Sequence, residues 1–297
     1  MSAAERGVEL HELHEMHELH ERLRAREAEI DRLSQELAET NRGVLALYAE
    51  LDDRAQALGQ MSETKTRFLS DMSHELRAPL ASMINLTRLL LARADGPLTA
   101  EQVYQVTLIQ RSAESLSEMV DDLLDISKIE ARKVDLRLEE VSIAEVLAGL
   151  RGMFRPLATN EGVALVFEDP DEPIVLTTDA QRVAQVLRNF VSNALKFTTE
   201  GEVRVSARVA DGDVVILEVA DTGAGIAPED QARIFEDFAQ VDGPIQKRVR
   251  GTGLGLPLTR KLAALLGGEV RLESRLGEGS RFSLVVPRVH PGVESTR

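Results

Sequence analysis

Apolar residues recur every seven positions through the first sixty residues, and no proline stands before Pro79. A second line of positions, three residues further on, alternates apolar with mostly polar side chains. These heptads predict a coiled coil over residues 1–61, most simply a parallel dimer, because an apolar stripe of this period is buried by a partner helix. A single long helix packed on its own globular domain is the alternative. The unbroken apolar line is Met16, Leu23, Ile30, Leu37, Val44, Leu51 and Leu58.

The helical pattern continues past Pro79 and is followed by a second amphipathic helix. The turn between them is ADGPLT, residues 94–99, in which the Gly-Pro pair breaks the helix and Thr99 is a suitable N-cap. Pro79 costs the first helix about 3 kcal/mol and predicts a local bend. Since one hairpin cannot cover both of its apolar stripes, residues 62–132 predict a helical hairpin that forms a dimeric four-helix bundle.

Beyond residue 133, strand-like segments alternate with shorter helices. Strands are predicted at 134–141, 163–169, 174–179, 201–209, 213–221, 268–274 and 280–287, with helices near 143–154, 179–197 and 254–266. Ser142 and Glu145 form a capping-box pattern before the first of these helices. This mixed order predicts an α+β sandwich, with one sheet against helices, over residues 133–290. A disordered tail is expected at 291–297.

The composition excludes several classes of function. The formal charge of −15 argues against sequence-independent nucleic-acid binding, and the 3% aromatic content leaves few rings for stacking on bases. Without cysteine the chain has no disulfide, thiolate nucleophile or cysteine zinc site. No apolar run reaches the ~20 residues that span a bilayer, and the first residues are too polar for a signal peptide. A cytoplasmic protein without membrane insertion is expected.

Several polar positions in the second half have the chemistry to bind a nucleotide. Asn189, Asn193 and Lys196 share one helix face, where an amide oxygen suits Mg²⁺ and an ammonium suits phosphate. Asp221 ends an apolar strand, and its carboxylate can accept a hydrogen bond from an exocyclic amine such as that of adenine. Three glycines within residues 251–255 precede a helix, whose free N–H groups attract phosphate. Taken singly, each pattern is more often an exposed helix face or a plain turn.

The glycines of GTGLGL, residues 251–256, have a second interpretation as a dinucleotide fingerprint. A fingerprint of that kind follows the first strand of a parallel βαβ unit, whereas these glycines follow a polar loop, QVDGPIQKRVR. A Walker A motif is also absent from the sequence. The Rossmann interpretation is therefore rejected.

Taken in order, four segments resemble the N, G1, F and G2 boxes of the histidine kinase ATP-binding domain: NFVSNALKFT (189–198), DTGAGI (221–226), FEDF (235–238) and GTGLGL (251–256). That domain has the Bergerat (GHKL) fold shared with gyrase, Hsp90 and MutL. SHELRAPL (73–80) resembles the phosphoacceptor H-box of the same kinases, and LLDISKIEARKVDLRLEEV is similar to the junction of their dimerisation hairpin and catalytic domain. The resemblance covers about residues 62–288, and residues 1–61 resemble the signalling helix that precedes such hairpins.

The resemblance implies an ATP-dependent protein-histidine kinase of two-component systems. His74 would be the phosphoacceptor and Glu75 the general base, and the phosphoryl group would pass to an Asp of a separate response regulator. Asn193, with Asn189 nearby, would hold Mg²⁺. A homodimer and an upstream sensor partner acting through the coiled coil are also implied. The residues expected to bind ATP are Asn189, Asn193, Lys196, Asp221, Gly223, Gly225, Ile226, Phe238, Gly251, Thr252, Gly253, Leu254 and Gly255.

Two positions depart from the family pattern. Ala78 stands where Thr or Asn is common, a residue thought to position water for dephosphorylation of the regulator, so weak phosphatase activity is expected. Arg132 stands where the hairpin commonly ends on Gly, which would stiffen the connection to the catalytic domain. The polar loop before GTGLGL matches the family's ATP lid, with Lys247, Arg248 and Arg250 either as phosphate contacts or as a solvated basic loop.

Three alternatives stay open. A GHKL ATPase or protein-serine kinase with a different function would lack the phosphoacceptor, and a degenerate coiled-coil scaffold would lack the nucleotide-binding residues.

A cluster of His11, His14, His17 and His20 has the spacing His-Glu-x-His, which disfavours zinc-protease chemistry. Metal or pH sensing by this cluster is one interpretation, and a solvated helix end is the favoured one.

Overall fold

The computed structural model describes residues 3–94, 96–131, 133–155, 162–210, 213–239 and 252–294. The chain divides into two compact units, Met1–Glu63 and Thr64–Arg297. Gly251, Arg132 and the lid residues Lys247, Arg248 and Arg250 lie outside the described residues, as do the side chains of the four clustered histidines.

The first element, α1, is a single helix over Ala3–Leu91 that runs through Pro79. The helical prediction is therefore confirmed, whereas pairing into a coiled coil and a bend at Pro79 stay predictions. Along the heptad line, the side chains of Met16, Leu23, Val44 and Leu51 are exposed in this single chain. A partner helix would cover these side chains.

The second helix, α2, spans Ala100–Glu130 and completes the hairpin. Thr99 caps it as predicted: its hydroxyl accepts from the Gln102 backbone N–H, and the Gln102 side chain accepts from the Thr99 backbone. Leu80, Ala113 and Val120 form a small buried cluster between the two helices. The hairpin therefore has its own core, but a small one.

The remaining elements form the predicted α+β sandwich. The elements are β1 (Glu139–Ser142), α3 (Ile143–Phe154), β2 (Val163–Phe167), β3 (Val175–Thr178), α4 (Ala180–Phe197), β4 (Gly201–Ala210), β5 (Val214–Asp221), a 3₁₀ turn (Arg233–Phe235), α5 (Gly255–Leu265), β6 (Glu269–Arg275), β7 (Gly279–Pro287) and α6 (Pro291–Glu294). A five-stranded sheet has the order β2-β4-β5-β7-β6, in which β2 and β4 are parallel and the other pairs antiparallel, and β1 and β3 form a separate antiparallel pair. Helices α4 and α5 pack on the sheet.

The core follows the period-two pattern of the strands. Val215, Leu217 and Val219 alternate along β5 and are fully or almost fully buried, and Phe282, Leu284 and Val286 on β7 are buried beside them. Against them pack the apolar residues of α4, including Val183, Leu187 and Phe190. Because this face of α4 is buried, its opposite positions are left to carry polar side chains.

Three local expectations are wrong. Strand β1 begins only at Glu139, because the Arg137 N–H donates to the Asp179 carboxylate instead of to a neighbouring strand. Ser142 is the N-cap of α3 but makes no side-chain cap, since Ser142 also pairs in the β1–β3 ladder. Residues 291–294 are helical rather than disordered, and the Gly292 N–H donates to the His290 ring there.

Candidate functional site

A cavity of about 390 Å³ lies where α4, the turn after β5 and the start of α5 meet. Most of the residues expected to bind ATP line it. They are Asn189, Asn193, Lys196, Asp221, Gly225, Ile226, Thr252, Gly253 and Gly255. The structure thus brings together positions that span residues 189–255 of the sequence.

Helix α4 supplies the two asparagines from adjacent turns of one face. The Asp179 side chain starts this helix by accepting from the Arg182 N–H. Asn193 Nδ2 donates to Asn189 Oδ1 over 3.0 Å, which leaves Asn193 Oδ1 without a hydrogen bond among the described residues. An oxygen in that position suits a hard cation such as Mg²⁺.

Lys196 lies one turn after Asn193 and also lines the cavity. Burial lowers the pKa of the Lys196 ammonium, whose Nζ lies 5.1 Å from the centre of the Phe197 ring. A bound phosphate would act against this shift, because an opposite charge favours the protonated form. The site therefore offers a partly desolvated cation to an anionic group.

Asp221, the last residue of β5, also lines the cavity. Burial raises the pKa of the Asp221 carboxyl, and the backbone N–H groups of Gly223 and Ser280 oppose this effect. Gly223 N lies 2.9 Å from Asp221 Oδ1. A carboxylate fixed in this way can accept a hydrogen bond from an amine that enters the cavity.

Two glycines allow the close approaches that shape the cavity. Gly225 has φ of +64°, and a Cβ there would overlap the carbonyl of Arg275. Gly255 begins α5, and a Cβ there would overlap the Asn189 side chain. Glycine at position 255 therefore lets the N-terminus of α5, with its free N–H groups, reach the asparagines.

Three expected ATP-binding residues do not line the cavity. Gly223 lies in the turn, where its N–H donates to Asp221 Oδ1, and Leu254 is fully buried. Phe238 is 60% exposed and has φ of +62°, an unusual conformation for an aromatic residue. Its N–H donates to the Gly253 carbonyl, so it ties the FEDF segment to the glycine loop.

Sequence reasoning missed several residues that line the cavity. Ser280 and Phe282 come from β7, which lies beside β5, and the GEGS turn before Ser280 was the only local signal. Ser115, Glu118 and Asp122 come from α2. Nothing in the sequence indicates that the hairpin forms one wall of the cavity.

The wall from α2 is acidic. Burial, followed by the charges of Glu118 and Asp125, raises the pKa of Asp122 to about 6, while Arg188 acts to lower it. The wall is held by Asp125, whose Oδ2 accepts from Arg182 Nη1 at 3.1 Å and from Gln185 Nε2 at 2.8 Å. In this conformation, α2 carboxyl groups therefore face the same space as the asparagines of α4.

The H-box residues lie elsewhere, on α1. His74 and Glu75 are exposed and do not line the cavity, whereas Ser73 and Leu80 are buried. Ala78 is also exposed, one turn after His74. The imidazole is therefore accessible to another protein or to a catalytic segment that moves towards it.

Two kinds of feature are absent from the described part of the chain. None of its helices combines the length and the apolar character needed to cross a bilayer. Nor do three or more His, Cys, Asp or Glu side chains converge there on a metal-sized space.

Two family models match the chain. Residues 64–132 match the His Kinase A (phospho-acceptor) domain, and residues 178–290 match the histidine kinase-, DNA gyrase B-, and HSP90-like ATPase. Together these matches cover more than half of the chain.

Among similar proteins is the sensor histidine kinase RcsC of Escherichia coli K12, 37% identical over 238 residues, which are 80% of this chain and 25% of RcsC. The circadian input-output histidine kinase CikA of Synechococcus elongatus is 39% identical over 248 residues, 82% of this chain and 33% of CikA. The chain thus spans a quarter to a third of these curated relatives. The crystal structure of full-length ShkA in complex with AMPPNP has a TM-score of 0.60 and 36% identity, over 74% of this chain and 45% of ShkA.

Proposed function

Because the chain belongs to the sensor histidine kinases of two-component systems, we propose that it binds ATP with Mg²⁺ in the cavity and phosphorylates His74. The supporting observation is the convergence of Asn193, Lys196 and Asp221 with the N-terminus of α5 around one cavity. The Asp221 carboxylate accepts a hydrogen bond from the adenine amine, and the part of the cavity beside Asn193 and Lys196 binds the phosphates. ShkA, whose structure contains AMPPNP, is similar to this chain in sequence and fold.

The phosphate end has a suitable donor set for the cation. Asn193 Oδ1 would hold Mg²⁺, with Asn189 held beside it by their mutual hydrogen bond. When bound, Mg²⁺ offsets the negative charge of the phosphates. Lys196 and the N–H groups of α5 add positive charge from the protein itself.

The transfer step uses the two exposed residues of α1. A ring nitrogen of neutral His74 attacks the γ-phosphorus, so that an N–P bond forms while the bond to the bridging oxygen breaks and ADP leaves. Glu75 takes the proton from the other ring nitrogen. The phosphoryl group then passes to an Asp carboxylate of a separate response regulator.

The reaction requires movement, since His74 lies outside the cavity in this conformation. The catalytic domain must leave α2 and bring the cavity to His74 of the same or of a second chain. This movement would require release of the Asp125 contacts with Arg182 and Gln185, and also of the packing of α2 on α5. An upstream sensor acting through α1 is proposed as the source of the change.

A homodimer is part of this proposal. The buried cluster of the hairpin is small, and large apolar side chains stay exposed along both of its helices. A second hairpin would cover them in a four-helix bundle. Among these exposed residues are Phe68, Leu86, Leu89, Leu108 and Ile109.

Two further points of the proposal rest on the family and on the source of its phosphoryl donor. A cytoplasmic location is proposed because ATP, the phosphoryl donor, is supplied there. The response regulator is proposed as a separate protein.

The kinase activity is tested with ATP that carries a radiolabel in the γ-phosphate. We expect the purified chain to become labelled in the presence of Mg²⁺, and the label to be lost in acid and kept in alkali, as expected for a P–N bond. Chelation of Mg²⁺ should prevent labelling. Label that is stable in acid would contradict a phosphohistidine and favour a protein-serine kinase.

Ala78 predicts weak dephosphorylation of the response regulator. Its methyl group cannot position water by hydrogen bonding, whereas a threonine hydroxyl at this exposed position can. We expect Ala78→Thr to accelerate loss of phosphate from the phosphorylated regulator in the presence of ADP. Ala81→Thr, at another exposed position of α1, is the matched control and should change nothing. Rapid dephosphorylation by the unmodified chain, with no gain in Ala78→Thr, would show that the expectation is wrong.

A further inference from the structure

Side chains outside the four motifs form hydrogen bonds with the backbone of the turn between Asp221 and Ile226. Ser274 Oγ on β6 accepts from the Ile226 N–H at 2.8 Å. Gln231 Nε2 donates to the Ile226 carbonyl at 3.1 Å and to the Ser274 carbonyl at 3.0 Å. Both backbone polar groups of Ile226 are therefore bound by side chains, and Gln231 also ties that residue to β6.

The orientation of the Ser274 hydroxyl follows from its partners. The Gly279 carbonyl, 3.0 Å away, can only accept, so the single proton of Ser274 Oγ goes to it. Ser280 Oγ lies 2.9 Å from Ser274 Oγ and must then donate to it. In this orientation Ser274 Oγ is left with its lone pairs, one of which accepts from the Ile226 N–H.

The same network fixes the walls of the cavity. Ile226 lines the cavity and packs on the core, so its side chain can hold its place only while its backbone does. The backbone contact of Gly277 N with the Ala224 carbonyl, at 2.7 Å, holds the middle of the turn against the β6–β7 connection. Asp221 stands at the start of this turn and Ile226 at its end.

We propose that Gln231 and Ser274 are positioning residues for nucleotide recognition: they hold the Asp221–Ile226 turn in the shape that lets Asp221 accept a hydrogen bond from the base. Neither residue lines the cavity. The proposal rests on the proposed nucleotide site. It adds a specificity function to two residues whose hydrogen bonds would otherwise only connect a turn to a strand.

The test compares the affinities for ATP and for inosine triphosphate, whose base carries an exocyclic carbonyl oxygen where adenine has its amine. Isothermal titration of the whole chain with each nucleotide and Mg²⁺ gives their ratio. We expect the unmodified chain to prefer ATP by about tenfold to a hundredfold, since a carboxylate without its donor loses a hydrogen bond to a charged group. For Gln231→Met and for Ser274→Ala, we expect the logarithm of the ratio of the ATP affinity to the inosine triphosphate affinity to fall to half of its value in the unmodified chain, or lower.

A ratio separates positioning from stability. A variant that merely unfolds in part loses affinity for both nucleotides equally, and its ratio stays unchanged. Ser274→Thr keeps the hydroxyl and should restore the ratio. Ser283→Ala, on β7 with only a 3.5 Å contact to Glu218, is the matched control and should keep it.

The outcomes are distinct. Equal affinities in the unmodified chain would overturn the function assigned to Asp221 and this proposal with it. If the unmodified chain prefers ATP over inosine triphosphate, and Gln231→Met and Ser274→Ala keep the same preference, the positioning proposal alone is overturned. Both side chains hold Ile226, so the double variant should lose less of the discrimination between ATP and inosine triphosphate than the two single variants lose together. Strict additivity of these losses would also contradict the proposal.

Discussion

We expect His74→Gln to remove the phosphoryl label from the protein and to leave nucleotide binding intact. The amide nitrogen of glutamine has no free lone pair, so it cannot replace the imidazole as a nucleophile. His74 is exposed and does not line the cavity, so the free energy of unfolding should change by no more than about 0.5 kcal/mol. Labelling with γ-labelled ATP, and titration with unlabelled ATP, measure the two effects separately.

His290 provides the matched histidine control. Its Nε2 lies 3.0 Å from the Leu265 carbonyl and its Nδ1 accepts from Gly292 N, so its ring connects the end of α5 to α6. His290→Gln should keep the label, with a lower melting temperature at most. Label that persists in His74→Gln would contradict the assignment of His74, because another residue would then be the phosphoacceptor.

Part of the site was predictable because it depends on local geometry. Residues four apart on a helix share a face, so their spacing alone places Asn189 beside Asn193. Asp221 follows an apolar strand and is followed by glycines, a pattern that predicts a polar group at a strand end beside a close backbone approach. The order of the sheet does not enter either inference.

The missed residues depend on contacts between distant segments. Ser280 reaches the cavity only because β7 pairs with β5, across about sixty residues of intervening chain. Glu118 and Asp122 reach it because α2 packs on α5, while Asp125 of α2 binds Arg182 and Gln185 of α4. Periodicity shows which face of α2 is apolar but not which domain its polar face meets, so this wall could not be inferred.

The fold shows the same division. Element types were predicted from period and turn signals, and the alternating residues of β5 and β7 are found in the core. The start of β1 was predicted too early, since the Arg137 N–H donates to Asp179, a residue about forty positions away. A side chain from a distant segment thus ended a strand that the local pattern would have continued.

Asn193→Ala should abolish the effect of Mg²⁺ on ATP binding and lower the rate of labelling about a hundredfold or more, since the charge stabilisation it removes amounts to several kcal/mol. The variant loses the amide oxygen that would hold the cation, and it also frees Asn189 from its 3.0 Å contact. ATP affinity is measured with and without a chelator. In the unmodified chain affinity should fall on chelation, and in the variant it should be low under both conditions.

Loss of folding does not explain this expected result. Alanine has a higher helix propensity than asparagine, by roughly 0.5 kcal/mol, so α4 should be at least as stable in the variant. Gln181→Ala, at an exposed position of the same helix, is the matched control and should label like the unmodified chain. If Asn193→Ala kept a Mg²⁺-dependent affinity for ATP, the cation would have to be held elsewhere. The acidic wall of Glu118 and Asp122 on α2 would then be the next group to replace, because its carboxylates line the same cavity.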